Sequence, residues 1–259
     1  MRHYIENKII TDQHPITITL IGCGGTGSHV LNNLARINHA LIAIGRKGIS
    51  VQVCDPDVVS ESNIGRQVYY QNDIGRSKSD VCVERVNRAF GLHWVSLPRK
   101  FDSDIQSHGA SNIIISCVDT GKTRMSIANI LKTSHSSTYQ PHKLSCYWLD
   151  FGNTKNTGQI ILGTLRDINQ PESQFKTVPK LQTVVEKYGN MIKFDDKEEQ
   201  GPSCSTMEAL NKQDLFINSQ LAILGSNLLW NFLKNYYTEI SQIFFNGSTY
   251  LTASNYQQL

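Results

Sequence analysis

Apolar and polar positions follow two rhythms along this chain. Short apolar runs bounded by turn residues read as strands: Ile16–Ile21, then Ile49–Cys54, then residues 111–119, the last apolar enough to be buried on both faces of a parallel sheet. Between them the apolar residues recur at helical spacing. Val30, Leu31, Leu34 and Ile37 share one face of a helix that opens at Thr26, Gly27 and Ser28. The apolar stretch 38–48 either continues that helix through Leu41 to Ile44 or forms a second short one, ended by Gly45 and Gly48. Lys78–Phe90 forms the next helix, with Val81, Val86, Ala89 and Phe90 as its apolar side and Gly91 as C-cap. A short strand at 93–97 and a helix at 120–132 follow.

Past residue 140 the pattern changes. Residues 144–151 and 158–163 read as an antiparallel pair joined by the polar loop 152–157. The stretch 164–200 is polar, with a short helix expected at 180–188 and a domain linker as the competing reading. Residues 209–237 are helical and apolar around much of their circumference, through Leu215, Phe216, Ile217, Leu221, Ile223, Leu224, Leu228, Leu229 and Trp230. Such a helix is covered on several sides, by the sheet or by a second copy of the chain. Ile243, Phe244 and Phe245, the Asn246-Gly247 turn and residues 249–251 predict a closing hairpin.

Composition narrows the class. With 259 residues and 39% hydrophobic content the chain can bury the core of one large α/β domain or two small ones. Its net charge of +3 is spread out, so nothing demands nucleic acid. No apolar run approaches the roughly 20 residues of a membrane span, and residues 1–7 lack a signal-peptide core, so a cytoplasmic protein without membrane contact is expected. Six cysteines without a C-x-x-C pair suggest neither a disulfide framework nor a zinc site. Cys54, Cys117 and Cys146 in strand-like runs and Cys82 on a helix read as packing residues, while Cys23 sits inside a glycine turn.

That turn carries the first chemical signal. Gly22, Gly24 and Gly27 satisfy G-x-G-x-x-G between a strand and a helix, where glycines let backbone approach a phosphate and free N–H groups face the anion. The fingerprint alone also fits a bare strand-to-helix connection. Asp55, ending the second strand, stands where a carboxylate accepts hydrogen bonds from ribose hydroxyls. Asn63, Arg66, Gln67 and Lys78 follow, and hydride transfer has no use for those cations. Phosphoryl or adenylyl transfer does, because negative charge builds on phosphate oxygens in the transition state.

The series G-x-G-G-x-G, D-x-D-x-V-x-x-S-N-I-x-R-Q and G-x-x-K, in this order, resembles the ThiF, MoeB and HesA superfamily, the adenylating domains of ubiquitin-activating enzymes. The segments at 55–57, 62–67 and 148–154 look in particular like the ThiF-type protein of PRTRC systems. The resemblance implies a Rossmann-like doubly wound α/β fold, with a mainly parallel sheet, an antiparallel extension and helices on both faces. It implies one domain over residues 1–259, with a nucleotide-binding half at about 14–135 and a second half at about 140–259. It further implies ATP and Mg²⁺, with Gly22, Gly24, Gly25 and Gly27 along the phosphates and Asp55 on the ribose. Asn63, Arg66, Gln67 and Lys78 would contact the phosphates, and Asp57 and Asp119 the magnesium. Asp119 also reads as a cap for the helix that follows.

Ser205-x-x-Glu208 is a capping box that sets Cys204 at a helix amino terminus, which favours thiolate. The segment resembles the one around the catalytic cysteine of ubiquitin-activating enzymes; packing under a loop is the alternative. The implied activity is adenylation of the carboxyl terminus of a ubiquitin-like protein by a homodimer, with a conjugating-type partner downstream. The arginine that relatives supply from the amino-terminal segment has only Arg2 as a nearby candidate. A nicotinamide-dependent oxidoreductase and a non-catalytic nucleotide-binding module stand as the other classes.

Overall fold

The computed structural model describes residues 1–108, 110–133, 144–195, 211 and 213–256. Among these residues ten strands and seven α-helices follow one another, beginning with β1 (His3–Tyr4), α1 (Asn7–Thr11), β2 (Ile16–Ile21), α2 (Gly25–Ala43), β3 (Ile49–Cys54), α3 (Lys78–Phe90) and β4 (Val95–Leu97). Next come α4 (Ser103–His108), β5 (Ile113–Ser116), α5 (Gly121–Thr133), β6 (Tyr147–Asn153), β7 (Thr157–Thr164) and α6 (Val184–Asp195). The last are α7 (Ile217–Asn235), β8 (Tyr237–Thr238), β9 (Ile240–Asn246) and β10 (Leu251–Tyr256).

Eight strands form one sheet in the order β10-β9-β7-β6-β5-β2-β3-β4. The run β4-β3-β2-β5-β6 is parallel, and β7, β9 and β10 extend it antiparallel. This is the doubly wound arrangement, with its antiparallel extension, that the family resemblance implies. The strand order reverses between β2 and β5, where the glycine turn lies, and ligands of such sheets bind at the carboxyl ends of the strands there.

Successive side chains of the central strands serve two cores. Ile113 and Ile115 of β5 pack with α2, α3 and α7 residues such as Leu34, Val86 and Leu221. Ile114 packs on the other face with Ile127 and Leu131 of α5 and Val184 of α6. Along α7, Gly225 and the facing Gly158 of β7 let helix and sheet approach: a Cβ at Gly225 would collide with the Phe151 ring, and one at Gly158 with Leu221.

The apolar stretch after the glycine turn is a single helix through Ala43, closed by Gly45 at φ +74°. The buried side of α3 is Val81, Cys82, Val83 and Val86; Ala89 and Phe90 face solvent, because the helix outruns the sheet beneath it. Gly91 caps it in the left-handed region, as its type requires. Strand β5 is shorter than the apolar run, so Asp119 sits in the following bend, exposed, just before α5. The expected helix at 180–188 occurs as α6, shifted towards the carboxyl end. Before it, the polar stretch packs on the body: Ile168 N–H donates to Pro179 O, Thr164 N–H to Leu181 O, and Ile168 and Leu181 are buried. The long apolar helix begins only at Ile217, so Leu215 and Phe216 are exposed ahead of it, as is Ile223 on α7. The amino terminus is tied in by β1 pairing with β8.

Candidate active site at the carboxyl edge of the sheet

The glycine turn is shaped by what each missing side chain would strike. Gly22 has φ +87°, and a Cβ there would stand 2.6 Å from the Cys117 carbonyl oxygen beyond β5. A Cβ on Gly27 would collide with the carbonyl of Gly22 itself, so the first turn of α2 can lie directly on the turn. One on Gly25 would meet Asn218 Nδ2 at 2.5 Å, whereas Gly24, the N-cap of α2, has only Gln67 Oε1 nearby at 3.9 Å. Space is thus kept on the Gly24 side and filled on the others.

Asp55, the residue after β3, holds this turn. Its Oδ2 accepts from Cys23 N–H at 2.5 Å and its Oδ1 from Asp57 N–H at 2.8 Å. It is buried, and loss of solvent raises its pKa while the two backbone donors act against the rise. Tyr69 O–H donates to the Cys23 carbonyl at 2.5 Å, and Val68 N–H to Ser28 Oγ at 3.3 Å, fixing the strip 66–69 against turn and helix. Asn63 Oδ1 accepts from Ser60 N–H at 2.9 Å and closes the one-turn helix Glu61–Asn63.

Lys78, first residue of α3, has a buried side chain that brings Nζ to 2.9 Å from Asp57 Oδ2, while the Asp57 side chain remains largely exposed. The two residues expected to divide phosphate and metal between them therefore face each other. Arg66 is half-buried; Nη1 donates to Gln213 Oε1 at 3.2 Å, and among the described residues no carboxylate lies on it and its buried Nε has no partner. Desolvation lowers its pKa, though a guanidinium stays charged. Gln67 Oε1 is likewise buried and unpartnered among the described residues. Asp119 borders the same edge, because Cys117 N–H donates to Ile21 O at 2.8 Å and Val118 Cγ1 lies 3.5 Å from a Gly22 Cβ position.

The structure so brings Gly22 to Gly27, Asp55, Asp57, Arg66, Gln67, Lys78 and Asp119 to one edge. Cys204 lies outside the described residues. Arg2 is at the other end: it immediately precedes β1, which pairs with β8 beyond the carboxyl terminus of the 19-residue α7. At 1.5 Å per residue that is roughly 27 Å from the helix end carrying Asn218. There its Nε donates to Glu239 Oε1 at 2.8 Å, and its guanidinium stacks on Phe175 and Tyr237. Among the described residues no group of three or more His, Cys, Asp or Glu could hold a metal by itself. Cys54 and Cys146 are buried thiols pushed up to about 12 and about 11, and burial also raises Cys117, so these three are poor nucleophiles. No helix among the described residues is long and apolar enough to cross a membrane.

Sequence reasoning missed two groups. Asn218 at the start of α7 accepts from Thr26 Oγ1 at 2.9 Å and Asn153 Nδ2 at 3.2 Å, and donates to Gln213 Oε1 at 3.2 Å, which links α7 to the turn and to Arg66. The extra glycine of G-x-G-G-x-G, Gly25, was its signal. The second is the buried pair Arg124–Asp150, at 3.0 Å. Its signal was one carboxylate in a strand otherwise apolar on both faces.

A ThiF family model matches residues 12–226 of the chain. Over 85 residues the chain is 32% identical to ubiquitin-like modifier-activating enzyme 6 of Mus musculus, a stretch that is 32% of this chain and 8% of that protein. Among solved structures the fold resembles PaaA, with a TM-score of 0.59 at 14% identity over 93% of this chain and 64% of that one. It also resembles E. coli MccB crystallised with ATP, at 0.56 and 18% identity over 96% and 64%. The chain thus spans just under two thirds of the length of these two structures. The match over residues 12–226 takes in the glycine turn, the cationic strip and the Asp119 edge together, and the chain belongs to the ThiF family.

Proposed function

We propose that this chain activates a carboxylate by adenylation. The observation that carries the reading is the pair beside the glycine turn that has no partner among the described residues: Arg66 Nε and Gln67 Oε1, a donor and an acceptor removed from solvent. Such groups cost free energy unless a ligand completes them. A guanidinium with no carboxylate on it among the described residues, next to glycines that leave room at Gly24, fits the phosphates of a nucleotide.

ATP supplies the chemistry: the carboxylate attacks its α-phosphate, the bond to the β-phosphate breaks, and acyl adenylate and pyrophosphate result. The chain's residues orient and neutralise. The backbone of Gly22 to Gly27 lines the phosphates, and Asp55, already holding the turn, borders the ribose. Arg66 and Lys78 stabilise the charge that develops on the phosphate oxygens. Lys78 is kept buried and extended by Asp57. Mg²⁺ is usually held by one or two carboxylates plus phosphate oxygens, and Asp119 and Asp57 are exposed carboxylates at this edge. No general base is needed, because a carboxylate is ionised near neutral pH.

For the substrate we infer the carboxyl terminus of a small ubiquitin-like protein, in line with the motifs and with the modifier-activating relative. Thioester transfer to Cys204, a conjugating partner, a homodimer and a PRTRC setting belong to the same reading. The test is ATP–pyrophosphate exchange in the presence of a ubiquitin-like protein. Exchange is expected only with both present, and Arg66→Ala should lower it by about a hundredfold or more. Tight ATP binding without exchange for any carboxylate would make the chain a nucleotide-binding module instead. Cys204→Ala should keep exchange and lose only the thioester, seen as a mass shift on the protein.

A further inference from the structure

We infer that Arg124 is a positioning residue for Asp119, and through it for the divalent cation of a bound nucleotide; this rests on the adenylation reading. Arg124 lies in the first turns of α5 and is buried. Its Nη2 donates to the Val118 carbonyl at 2.7 Å and its Nη1 to the Thr120 carbonyl at 3.3 Å. Those are the carbonyls of the residues immediately before and after Asp119. The same guanidinium reaches across to β6: Nε donates to Asp150 Oδ1 at 3.1 Å and Oδ2 at 3.0 Å, and Nη2 to the Phe151 carbonyl at 2.8 Å.

Asp150 is itself inaccessible to solvent and is further held by Ser116 Oγ at 2.5 Å, which accepts from Trp148 Nε1 at 2.7 Å. The bend carrying Asp119 is thus fastened to β6 by one planar fork, and through Asp150 to Ser116 of β5. A generic core ion pair would tie helix to strand. This one spends two of its donors on the carbonyls that flank an exposed carboxylate at the ligand edge. Lysine cannot replace it, because an ammonium lacks the flat, spread donors that reach Asp150, Val118 and Thr120 at once.

The experiment measures the affinity of AMPCPP by calorimetry, with Mg²⁺ and with EDTA, for the wild type, Arg124→Lys, Asp119→Asn and the double variant. Wild type should bind more tightly with Mg²⁺. Arg124→Lys should lose about tenfold in the presence of Mg²⁺, the usual effect of removing an outer-shell partner, and change little in EDTA. The double variant should match Asp119→Asn alone. Equal losses with and without Mg²⁺, no loss at all, or losses that add in the double variant would overturn the assignment to Asp119. Should Arg124→Lys fail to fold, Asp150→Asn takes its place. It withdraws the carboxylate that orients the fork and should show the same Mg²⁺-selective loss; an unchanged affinity would again overturn the inference. Wild type that binds AMPCPP equally with and without Mg²⁺, or not at all, brings down the adenylation reading and this inference with it.

Discussion

Two glycines separate conformational from steric need. Gly45 has φ +74° with nothing within 4 Å of a Cβ, so Gly45→Ala costs only left-handed strain, about 1–2 kcal/mol. Gly27 has ordinary helical backbone, yet its Cβ would collide with the Gly22 carbonyl. Gly27→Ala therefore distorts the turn, at or above the usual 1–3 kcal/mol of overpacking. Urea titrations of both variants check this, and equal midpoints would contradict it. The glycine turn, Asp55, Arg66 and Lys78 were legible in the sequence because their spacing is local and their chemistry specific. Arg124, Asp150, Gln213 and Asn218 were not, because each acquires its role from residues far along the chain: Thr26 and Asn218 are 192 positions apart. Asn63 shows the converse. Its place in the motif is plain, but the bond its Oδ1 accepts from Ser60 N–H is not.

Among elements, strands and helices that alternate with clean periodicity were read correctly, and errors gathered where an element overruns its support. The apolar side of α3 slid from Ala89 and Phe90 to Cys82 and Val83, since three strand residues of β4 cannot cover the end of a thirteen-residue helix. Helix α7 begins later than its hydrophobicity implies, because Asn218 must sit at its first turn to meet Gly25 and Thr26. Asn218→Ala leaves Thr26, Asn153 and Gln213 each short of a partner, and should cost about 1–3 kcal/mol in urea unfolding. A cost near zero would mean that solvent serves those groups equally well. The elements β1, α1, α4 and β8 escaped the sequence reading, being too short to show a period.

For the molecule as a whole, the amino-terminal segment closes the far end of the fold through His3. Its Nδ1–H donates to Val178 O at 2.6 Å, and Nε2 accepts from Tyr147 O–H at 3.2 Å, an arrangement suited to neutral imidazole. Desolvation lowers its pKa, although the Val178 bond opposes the shift, and burial lowers His29 in the same direction. The unfolded chain then takes up protons that the fold refuses. The stability contributed by neutral His3 is complete above about pH 6.5 and is lost as pH falls below it. Melting temperature should decline from pH 7.5 to 5.5, and less steeply in His3→Asn; parallel slopes for the two would rule His3 out.

The backbone that would meet a nucleotide is held by protein groups alone: Asp55 on the Cys23 amide, Tyr69 on its carbonyl, Ser28 on Val68. Order of this kind is settled when the chain folds, so capture of a ligand requires no rearrangement of the loop and loses little chain entropy. In kinetic terms, stopped-flow binding should be a single exponential whose rate rises linearly with nucleotide concentration. A plateau would reveal a slow ordering step before or after encounter, and so a turn less rigid than its hydrogen bonds imply.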